Sequence, residues 1–448
     1  MAVRKRYYIW LARAYIKRWK STILLSTIVG IVVFFLAIGG FNYFIKPTLT
    51  NKVESVGYTG TFTLSSPPEE IFQNVSYGLT RVDKNGEIKE GAAESWEIEE
   101  NGKKYIFQLR KGQKFHNGVE LTAENLPLNF NEAKKEIIDT YTVMYVLESE
   151  YSPFLTSVSK PILTKDLEGL GKYKIQDIEL NASFIKSVTL ENTEDSTQKK
   201  KYFFYPTEEA LKTAYALGEV DRAVGITNLN FQNSEMSKWT NTNVEKEVNH
   251  SELVAIFYNN NDEILSDKKV RQALNTALPQ KFNTGERADG PIPPTSIYYQ
   301  RNTSYLQGDL DIAKELLDTS SAKDGANFEI TTTEEYEKIA EEIQKYWKKM
   351  GINSSLKIVK RQPDTFQIYL TKYNLPKDPD QYTLWHSDQR NNIVGYNNLR
   401  IDKLLEDGRI IHNLRDRKDI YADFQKYLID DVPASFLYFP TSYTLGRK

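Results

Sequence analysis

The stretch from Val75 to Leu126 decides the fold and reads VSYGLTRVDKNGEIKEGAAESWEIEENGKKYIFQLRKGQKFHNGVELTAENL. Its Asn101-Gly102 pair predicts a tight turn, and directly after the turn apolar side chains alternate with polar ones, at Tyr105, Phe107 and Leu109. This alternation is typical of a hairpin strand with one buried face. Strand-like and helix-like segments then alternate to the C-terminus, which predicts an α/β fold.

Two segments further along the chain have patterns of different kinds. Leu253 to Tyr258 is a continuous apolar run of strand length, which predicts a buried strand. From Glu335 to Met350, apolar residues repeat at helical spacing and predict a helix that Gly351 ends. Thr332 together with Glu335 predicts a capping box at the start of that helix.

Length and composition limit the class of protein. The chain has 448 residues, which is enough for two or three domains with large buried cores. Its 28 Tyr and 21 Phe suit a folded protein with an aromatic-rich surface or cleft. The absence of Cys excludes disulfides, Cys-ligated zinc, iron–sulfur sites and thiol nucleophiles.

The N-terminus has a basic segment followed by an apolar one. Residues 1–20 contain no acidic residue and the basic residues Arg4, Lys5, Arg6, Arg13, Lys17, Arg18 and Lys20. Residues 21–45 contain no charged residue and are long enough, at 1.5 Å per residue, to cross a hydrocarbon core of about 30 Å. The basic flank predicts a cytoplasmic segment at residues 1–20, a single transmembrane anchor at 21–45, a tether at 46–60 and an extracytoplasmic body.

Two other interpretations of the apolar segment remain open. Ala37 and Gly39 form the small-x-small pattern of a cleavable signal peptide, although the apolar region of such a peptide normally has only about 7–15 residues. A core helix of a soluble protein would leave the basic segment unexplained. A retained anchor is therefore the favoured interpretation.

Charge and motif content argue against nucleic-acid binding and catalysis. Subtracting the seven N-terminal bases from 58 leaves 51 basic against 60 acidic residues, a net charge of −9 that repels phosphates. The four His lie far apart, and the chain has no phosphate loop and no G-x-S-x-G elbow. We therefore predict no enzyme activity, no metal and no cofactor, and we interpret Asp378 and Asp380 as turn residues.

The quoted stretch resembles family 5 of the extracytoplasmic solute-binding proteins, the peptide-binding components of ABC importers. Four motifs carry the resemblance: Ala93-Glu94-Ser95-Trp96, Leu109-Arg110-Lys111-Gly112, Phe115-His116-Asn117-Gly118 and Leu121-Thr122-Ala123. The resemblance continues in order through most of the outer body, at Tyr151-Ser152-Pro153-Phe154-Leu155, Asp378-Pro379-Asp380 and Asp430-Asp431-Val432-Pro433.

This resemblance implies a two-lobed, periplasmic-binding-protein-like clamshell of type II, preceded by the transmembrane helix. Lobe one would comprise residues 51–255 and 429–448, and lobe two residues 256–428. A peptide would lie between the lobes, and the permease subunits of an ABC transporter would recognise the closed form.

The sequence departs from the family pattern at two places. Lipoprotein members carry an N-terminal Cys that is absent here, so the apolar segment would replace that anchor. Peptide-binding members often carry an Asp shortly before Asp378-Pro379-Asp380 to hold the ammonium group of the ligand, whereas this sequence has Tyr373-Asn374-Leu375. Recognition of another peptide end, or of a non-peptide solute, therefore remains open.

Candidate ligand contacts follow from the same resemblance, because an indole, an imidazole and hydroxyl groups can stack on and hydrogen-bond a peptide. The candidates in lobe two are Tyr382, Trp385, His386, Ser387, Tyr396 and Asn397, and those in lobe one are Tyr58, Thr61 and Tyr77. Packing in the core or in a turn is the competing interpretation for each of them.

The favoured hypothesis is a membrane-anchored solute-binding protein that delivers peptides to an ABC transporter permease and performs no catalysis itself. A tethered peptide sensor or chaperone without a transport role would have the same fold. A membrane-anchored hydrolase is the third alternative, and it would need a nucleophile and a base in one cleft.

Overall fold

The computed structural model describes residues 2–40, 52–64, 66–301 and 307–448. The α-helices in these ranges are α1 (Ala2–Arg18), α2 (Lys20–Gly40), α3 (Glu69–Phe72), α4 (Phe154–Ser157), α5 (Glu208–Leu217), α6 (Lys268–Thr276), α7 (Leu310–Asp318), α8 (Glu337–Lys349), α9 (Tyr382–Trp385), α10 (Leu399–Ile410) and α11 (Leu414–Asp431).

The strands of the first half of the chain are β1 (Lys52–Thr59), β2 (Thr80–Val82), β3 (Ile88–Glu90), β4 (Ala93–Glu99), β5 (Lys104–Leu109), β6 (Ala133–Asp139), β7 (Thr142–Leu147), β8 (Tyr173–Asn181), β9 (Phe184–Asn192), β10 (Gln198–Tyr205) and β11 (Arg222–Ile226). Those of the second half are β12 (Asn230–Phe231), β13 (Ser234–Glu235), β14 (Thr242–Val248), β15 (Glu252–Tyr258), β16 (Gly285–Arg287), β17 (Asn327–Thr332), β18 (Asn353–Ile358), β19 (Ile368–Asn374) and β20 (Ala434–Arg447).

One large sheet runs through the body, and twelve of the described strands belong to it. Its order is β18-β17-β19-β15-β20-β11-β1-β10-β9-β8, and β14 and β16 also pair with β20. The first half of β20 pairs with β15 and β16, and its second half pairs with β11 and β14. The C-terminal strand therefore joins two halves of the molecule: lobe one, which contains β1 to β14, and lobe two, which contains β15 to β19 and α6 to α11.

The predicted lobe boundary between residues 255 and 256 falls inside β15, which pairs along its whole length with β19 of lobe two. Residues 434–438, predicted for lobe one, pair with β15 as well. The assignment of residues 51–255 plus 429–448 and of 256–428 to separate domains stays a prediction, with β20 shared between the lobes.

The core of lobe two has two layers, one on each face of β15. Val254, Ile256 and Tyr258 belong to the cluster that includes Trp347 of α8, whereas Leu253, Ala255 and Phe257 belong to the cluster that includes Trp385. Successive side chains of a strand point to opposite faces, so a strand buried on both faces must be apolar at every position. The predicted buried strand at 253–258 is confirmed.

The helix predicted from Glu335 to Met350 is confirmed in its centre and corrected at its start. A 3₁₀ turn covers Glu334–Tyr336, and α8 begins at Glu337. Thr332 instead lies in β17, where its hydroxyl donates to the carbonyl oxygen of Leu370 at 2.8 Å, so the predicted capping box does not form. The stop at Gly351 is confirmed, because this residue has a left-handed φ of 85°.

A four-stranded sheet of order β4-β5-β7-β6 forms a separate layer of lobe one. Tyr105, Phe107 and Leu109 are fully buried in its cluster, which confirms the predicted hairpin strand. The turn residues Asn101 and Gly102 have φ values of 53° and 89°. A Cβ atom at Gly102 would lie 1.8 Å from Nε2 of His412 in lobe two, so a larger residue would displace this ring in addition to straining the left-handed backbone.

The N-terminal helices precede this body. One helix among the described residues, Lys20–Gly39, is long and apolar enough to cross a membrane. Residues 41–45 of the predicted anchor and 46–51 of the predicted tether lie outside the described residues. In place of the rest of that tether, Lys52–Thr59 form β1, which pairs in parallel with β10 and β11.

Candidate ligand-binding cleft

Two adjoining cavities lie between the lobes. The larger one, termed the central cavity, has a volume of about 940 Å³ and is lined by β1, α3 and β10 of lobe one and by residues 374–378 and 380 of lobe two. The second, termed the side cavity, has a volume of about 530 Å³ and shares Tyr58, Lys84 and Leu375 with the central cavity. Volumes of this size are typical of small-ligand sites.

The lobe-one wall of the central cavity is partly aromatic. Tyr58 lies on β1, and its ring centroid is 6.2 Å from that of Tyr202 and 6.4 Å from that of Phe204. Burial, followed by the negative charge of Glu70, raises the pKa of the Tyr58 phenol. The hydroxyl therefore stays protonated at neutral pH and can both donate and accept a hydrogen bond.

The lobe-two wall contains the Asp378-Pro379-Asp380 turn. Arg417 of α11 binds both carboxylate oxygens of Asp378, at 2.9 and 2.6 Å. The same guanidinium group donates to the carbonyl oxygen of Gly408 at 2.8 Å and to the hydroxyl of Tyr298 at 3.1 Å. Because Arg417 is only 4% exposed, these bonds hold the turn rigidly against α10 and α11.

The second carboxylate of the turn has a different environment. Burial raises the pKa of Asp380, while the positive charge of Arg409 opposes this rise. Nε of Arg409 lies 3.2 Å from Oδ2 of Asp380. The guanidinium carbon of Arg409 also lies 4.3 Å from the ring centroid of Tyr382 and 5.0 Å from that of Tyr151 in lobe one.

Trp385, a predicted ligand contact, is fully buried in the core of lobe two. Its ring stacks on Phe257 with the centroids 6.2 Å apart, and its Nε1 donates to Oε1 of Gln381 at 2.9 Å. In the described part of the chain it lines none of the cavities between the lobes. Its binding role stays a prediction, and this packing argues against it.

His386 and Ser387 are held by groups of lobe two. The backbone N–H of Asp388 donates to Nδ1 of His386 at 3.2 Å, so Nε2 carries the proton and faces Glu406 at 3.4 Å. The hydroxyl of Ser387 donates to the buried carboxylate of Asp402 at 2.6 Å. Of the six candidates in lobe two, Tyr382 lines a described cavity. This cavity lies between the small sheet of lobe one and α9 and α10 of lobe two.

Tyr396 and Asn397 lie away from the cleft. Tyr396 is 4% exposed, and its hydroxyl donates to Oδ2 of Asp431 at 2.6 Å. Burial, together with this bond to a carboxylate, raises the pKa of the phenol. Asn397 is exposed on the surface before α10.

Of the three candidates in lobe one, Tyr58 lines both the central and the side cavity. Thr61 is exposed beside Phe62, which lines the central cavity. Tyr77 packs against the small sheet, with the guanidinium carbon of Arg81 4.0 Å from its ring centroid.

Sequence reasoning missed most of the charged residues of the cleft. Glu70, Lys84, Glu252, Lys377 and Asp380 line the central cavity. Asp380 was visible in the sequence only as a turn residue, and no pattern distinguishes the other four from surface residues. Among the described residues, no group of three or more His, Asp or Glu side chains is placed to hold a metal ion.

Comparison with known proteins places this architecture in a family. The family model described as bacterial extracellular solute-binding proteins, family 5 Middle, matches residues 87–138 and 127–393, which is more than half of the chain. The chain belongs to this family. The resemblance stated from the sequence motifs is therefore confirmed, and the two-lobed α/β body is the architecture of family 5.

Relatives within family 5 cover most of the chain. The chain is 27% identical to the oligopeptide-binding protein AppA of Bacillus subtilis (strain 168), over 89% of its length and 85% of AppA. It is 24% identical to the dipeptide-binding protein of Escherichia coli (strain K12), over 81% of its length and 83% of that protein.

Solved structures of family 5 proteins share the fold. AppA of Bacillus subtilis in complex with a nonapeptide gives a TM-score of 0.66 at 23% identity, with 89% of this chain and 94% of AppA covered. NikZ of Campylobacter jejuni in complex with Ni(L-His) gives a TM-score of 0.70 at 22% identity, with the same coverage.

Proposed function

We propose that the chain is a membrane-anchored extracytoplasmic protein that captures peptides between its lobes and delivers them to the permease of an ABC transporter. The central cavity carries this proposal, because it has the size of a small-ligand site and takes its walls from both lobes. Two of the relatives named above are peptide-binding proteins. In this proposal the chain performs no catalysis, and other subunits hydrolyse ATP.

The wall of the central cavity offers groups for both ends of a peptide. Glu70 and Glu252 supply carboxylates for an ammonium group, and Lys84 and Lys160 supply amines for a carboxylate. The position where relatives often have an ammonium-binding Asp is occupied by Asn374 and its neighbours, so we assign ammonium recognition to Glu70 on the opposite wall.

Contacts between the lobes support a closed form that a permease could recognise. The amine of Lys377 in lobe two binds the carboxylate of Glu69 in lobe one. The backbone N–H of Ile297 donates to the carbonyl oxygen of Asn85 at 2.8 Å. Lys377 and Glu69 line the central cavity and Asn85 lines the side cavity, so ligand capture and lobe closure are expected to be coupled.

We also propose that residues 21–45 anchor the protein with the N-terminus in the cytoplasm. The length and hydropathy of α2 support this proposal, as do the basic residues that precede it. A cleaved signal peptide is the alternative. The intact mass of the protein isolated from membranes distinguishes the two, because a chain cleaved after Gly39 lacks residues 1–39.

Binding measurements on the full chain in detergent micelles test peptide capture. We expect native mass spectrometry to detect co-purified peptides, and calorimetry to detect binding of free-amine peptides. Glu70→Gln should weaken that binding about tenfold or more, because a charge-assisted hydrogen bond is lost. N-acetylated peptides should be insensitive to the substitution.

The control variant is Glu341→Gln, which changes an exposed glutamate of α8 far from the cleft. A protein that stays empty when it is challenged with peptide mixtures would overturn peptide capture. Equal effects of Glu70→Gln on free and acetylated peptides would overturn the role given to Glu70.

Capture of a non-peptide solute is the second candidate function. The similarity to NikZ, whose structure contains Ni(L-His), favours it, because one family 5 fold then accommodates a small amino-acid complex. Binding of amino-acid chelates by the full chain, without binding of peptides, would select this candidate.

A further inference from the structure

A third cavity adjoins the central cavity in the space between the lobes. It is termed the outer cavity and has a volume of about 870 Å³. Its walls come from the small sheet of lobe one and from α9 and α10 of lobe two, and they include Phe130, Glu148, Tyr151, Tyr382 and Arg409. Tyr151 and Ser157 line both the central and the outer cavity, so the two cavities meet at these residues.

The side chain of Arg409 stands at this junction. Arg409 lines the outer cavity, whereas its ion-pair partner Asp380 lines the central cavity. The guanidinium group is also placed between two aromatic rings, those of Tyr151 and Tyr382. These four side chains, termed the Arg409 wall, therefore separate the two cavities.

The Arg409 wall exists only when the lobes are together. Tyr151 belongs to lobe one, and the other three residues belong to lobe two. Beside the wall, the backbone N–H of Ser152 in lobe one donates to the carbonyl oxygen of Arg409 at 2.6 Å. Closure of the lobes therefore completes the wall at one end of the central cavity.

The wall is held less firmly than the neighbouring Arg417–Asp378 pair. The Arg409 side chain is 31% exposed and forms one ion-pair contact with Asp380, whereas that of Arg417 is 5% exposed and forms two hydrogen bonds with Asp378. A long side chain with this exposure can turn toward solvent. Asp380, whose side chain is 12% exposed, then keeps the hydrogen bond that its Oδ1 accepts from the backbone N–H of Tyr382 at 3.0 Å. Displacement of Arg409 would connect the central and outer cavities.

We propose that the Arg409 wall sets the upper length of the peptides that the protein binds tightly. Short peptides fit in the central cavity with the lobes closed and the wall intact. Longer peptides must displace Arg409 and extend into the outer cavity, and they lose the contacts of Arg409 with the two rings. This inference rests on the proposed peptide-binding function.

The charges of the outer cavity predict which longer peptides gain most once the wall is removed. Four glutamates line this cavity: Glu132, Glu148, Glu150 and Glu406. When Arg409 is replaced by Ala, Lys103 remains as a basic residue of the described lining. Arg409→Ala should therefore favour longer peptides that carry Lys or Arg beyond the wall over those that carry Asp or Glu.

Calorimetric titration of the full chain in micelles with peptides of two to nine residues tests this proposal. The wild type should show a drop in affinity of about tenfold at one peptide length, as expected for the loss of two cation–π contacts. Arg409→Ala should abolish the drop, so that the affinity no longer falls at that peptide length.

Two further variants keep the test decisive. Arg409→Lys retains the charge but not the planar stacking, so it should shift the profile in the same direction as Arg409→Ala. Arg400→Ala changes an exposed base of the same helix α10, placed over the ring of Tyr427, and should leave the wild-type profile intact. Thermal unfolding of each variant checks that it is folded.

An Arg409→Ala profile equal to that of the wild type, or an equal loss at every length, would overturn the role of the wall. A wild type that binds no peptide of any length is a different result. It would overturn the proposed function and this inference with it.

Discussion

The two carboxylates of the Asp378-Pro379-Asp380 turn are two residues apart and each faces an arginine, yet their environments differ. Asp378 binds Arg417 through both oxygens, and both side chains are almost completely buried. Asp380 meets Arg409 through one contact, beside rings from both lobes. The first pair fastens the turn to the core of lobe two, and the second forms part of the boundary between two cavities.

This comparison shows that the chemistry of a side chain does not determine its role. Acid and base are of the same type in both pairs. The exposure of the arginine and the number of hydrogen bonds decide whether a pair can open, because a guanidinium group that reaches solvent does not become an uncompensated buried charge. A role in ligand binding is therefore expected for the Arg409–Asp380 pair, which can open, and not for the Arg417–Asp378 pair.

The largest expected effect comes from breaking the buried pair. Arg417→Met should lower the free energy of unfolding by about 3–5 kcal/mol, because Asp378 remains buried without its partner. Arg409→Met should lower it less, by about 1–2 kcal/mol, because Asp380 is buried but loses a single contact and keeps the hydrogen bond from the backbone N–H of Tyr382. Urea unfolding followed by circular dichroism measures both.

Arg415→Met is the matched control, because Arg415 is exposed on the same helix two residues before Arg417. Its effect should stay within about 0.5 kcal/mol. Equal losses for Arg417→Met and Arg409→Met would contradict the distinction between the two pairs.

The same reasoning extends to a hydroxyl–carboxylate bond of lobe two. The Ser387 hydroxyl donates to the buried Asp402, and Ser387→Ala should cost about 1–3 kcal/mol of unfolding free energy because a buried acceptor loses its donor. Ser237 forms a bond of the same length, 2.6 Å, to Glu235 on the surface. Ser237→Ala should cost less than about 0.5 kcal/mol.

Peptide affinity separates the two interpretations of Ser387. We expect Ser387→Ala to bind peptides as the wild type does, because its hydroxyl is occupied by Asp402. Weaker binding with unchanged stability would instead support the ligand contact predicted from the sequence.

The smallest expected effect concerns His412, which faces Arg417, Tyr105 and Glu150. Burial, followed by the charge of Arg417, lowers the pKa of His412 below its ordinary value. As the pH falls below about 6.5, the unfolded chain therefore takes up this proton first, and stability is lost by at most about 1.4 kcal/mol per pH unit until the folded pKa is reached.

Unfolding free energies of wild type and His412→Gln between pH 7 and pH 5 measure this contribution. The variant should lose less stability over that range, because the titrating group is gone. Parallel pH profiles of the two proteins would show that His412 does not contribute.

Local patterns were predictable where neighbours in sequence determine the structure. The alternation after Asn101-Gly102 and the apolar run at 253–258 both correspond to strands. A strand with one buried face alternates apolar and polar residues, and a strand with two buried faces is apolar throughout, so both patterns are visible in the sequence. The capping box at Thr332 failed because β17 recruits that residue through a hydrogen bond to Leu370 on a neighbouring strand. Tertiary contacts can override a local signal in this way.

The candidate site was harder to predict. Of the nine predicted ligand contacts, Tyr58 and Tyr382 line cavities between the lobes, whereas Trp385 and Tyr396 are buried in the core of lobe two. Aromatic rings stabilise cores and line clefts equally well, so the residue type does not predict whether a ring faces the core or the cleft. The interpretation of Asp380 as a turn residue is confirmed, because its Oδ1 accepts the backbone N–H of Tyr382 at 3.0 Å, and the residue lines the central cavity as well.

The sequence by itself determined the family, the α/β order of elements and the apolar N-terminal segment, because motifs and hydrophobic periods are properties of contiguous residues. Only the tertiary structure decided which charges face the cleft. Arg417 lies 39 residues from Asp378, and Glu69 lies 308 residues from Lys377. Whether a carboxylate fastens a turn or borders a cavity depends on partners brought together by folding, and their distance along the chain hides them from any local pattern.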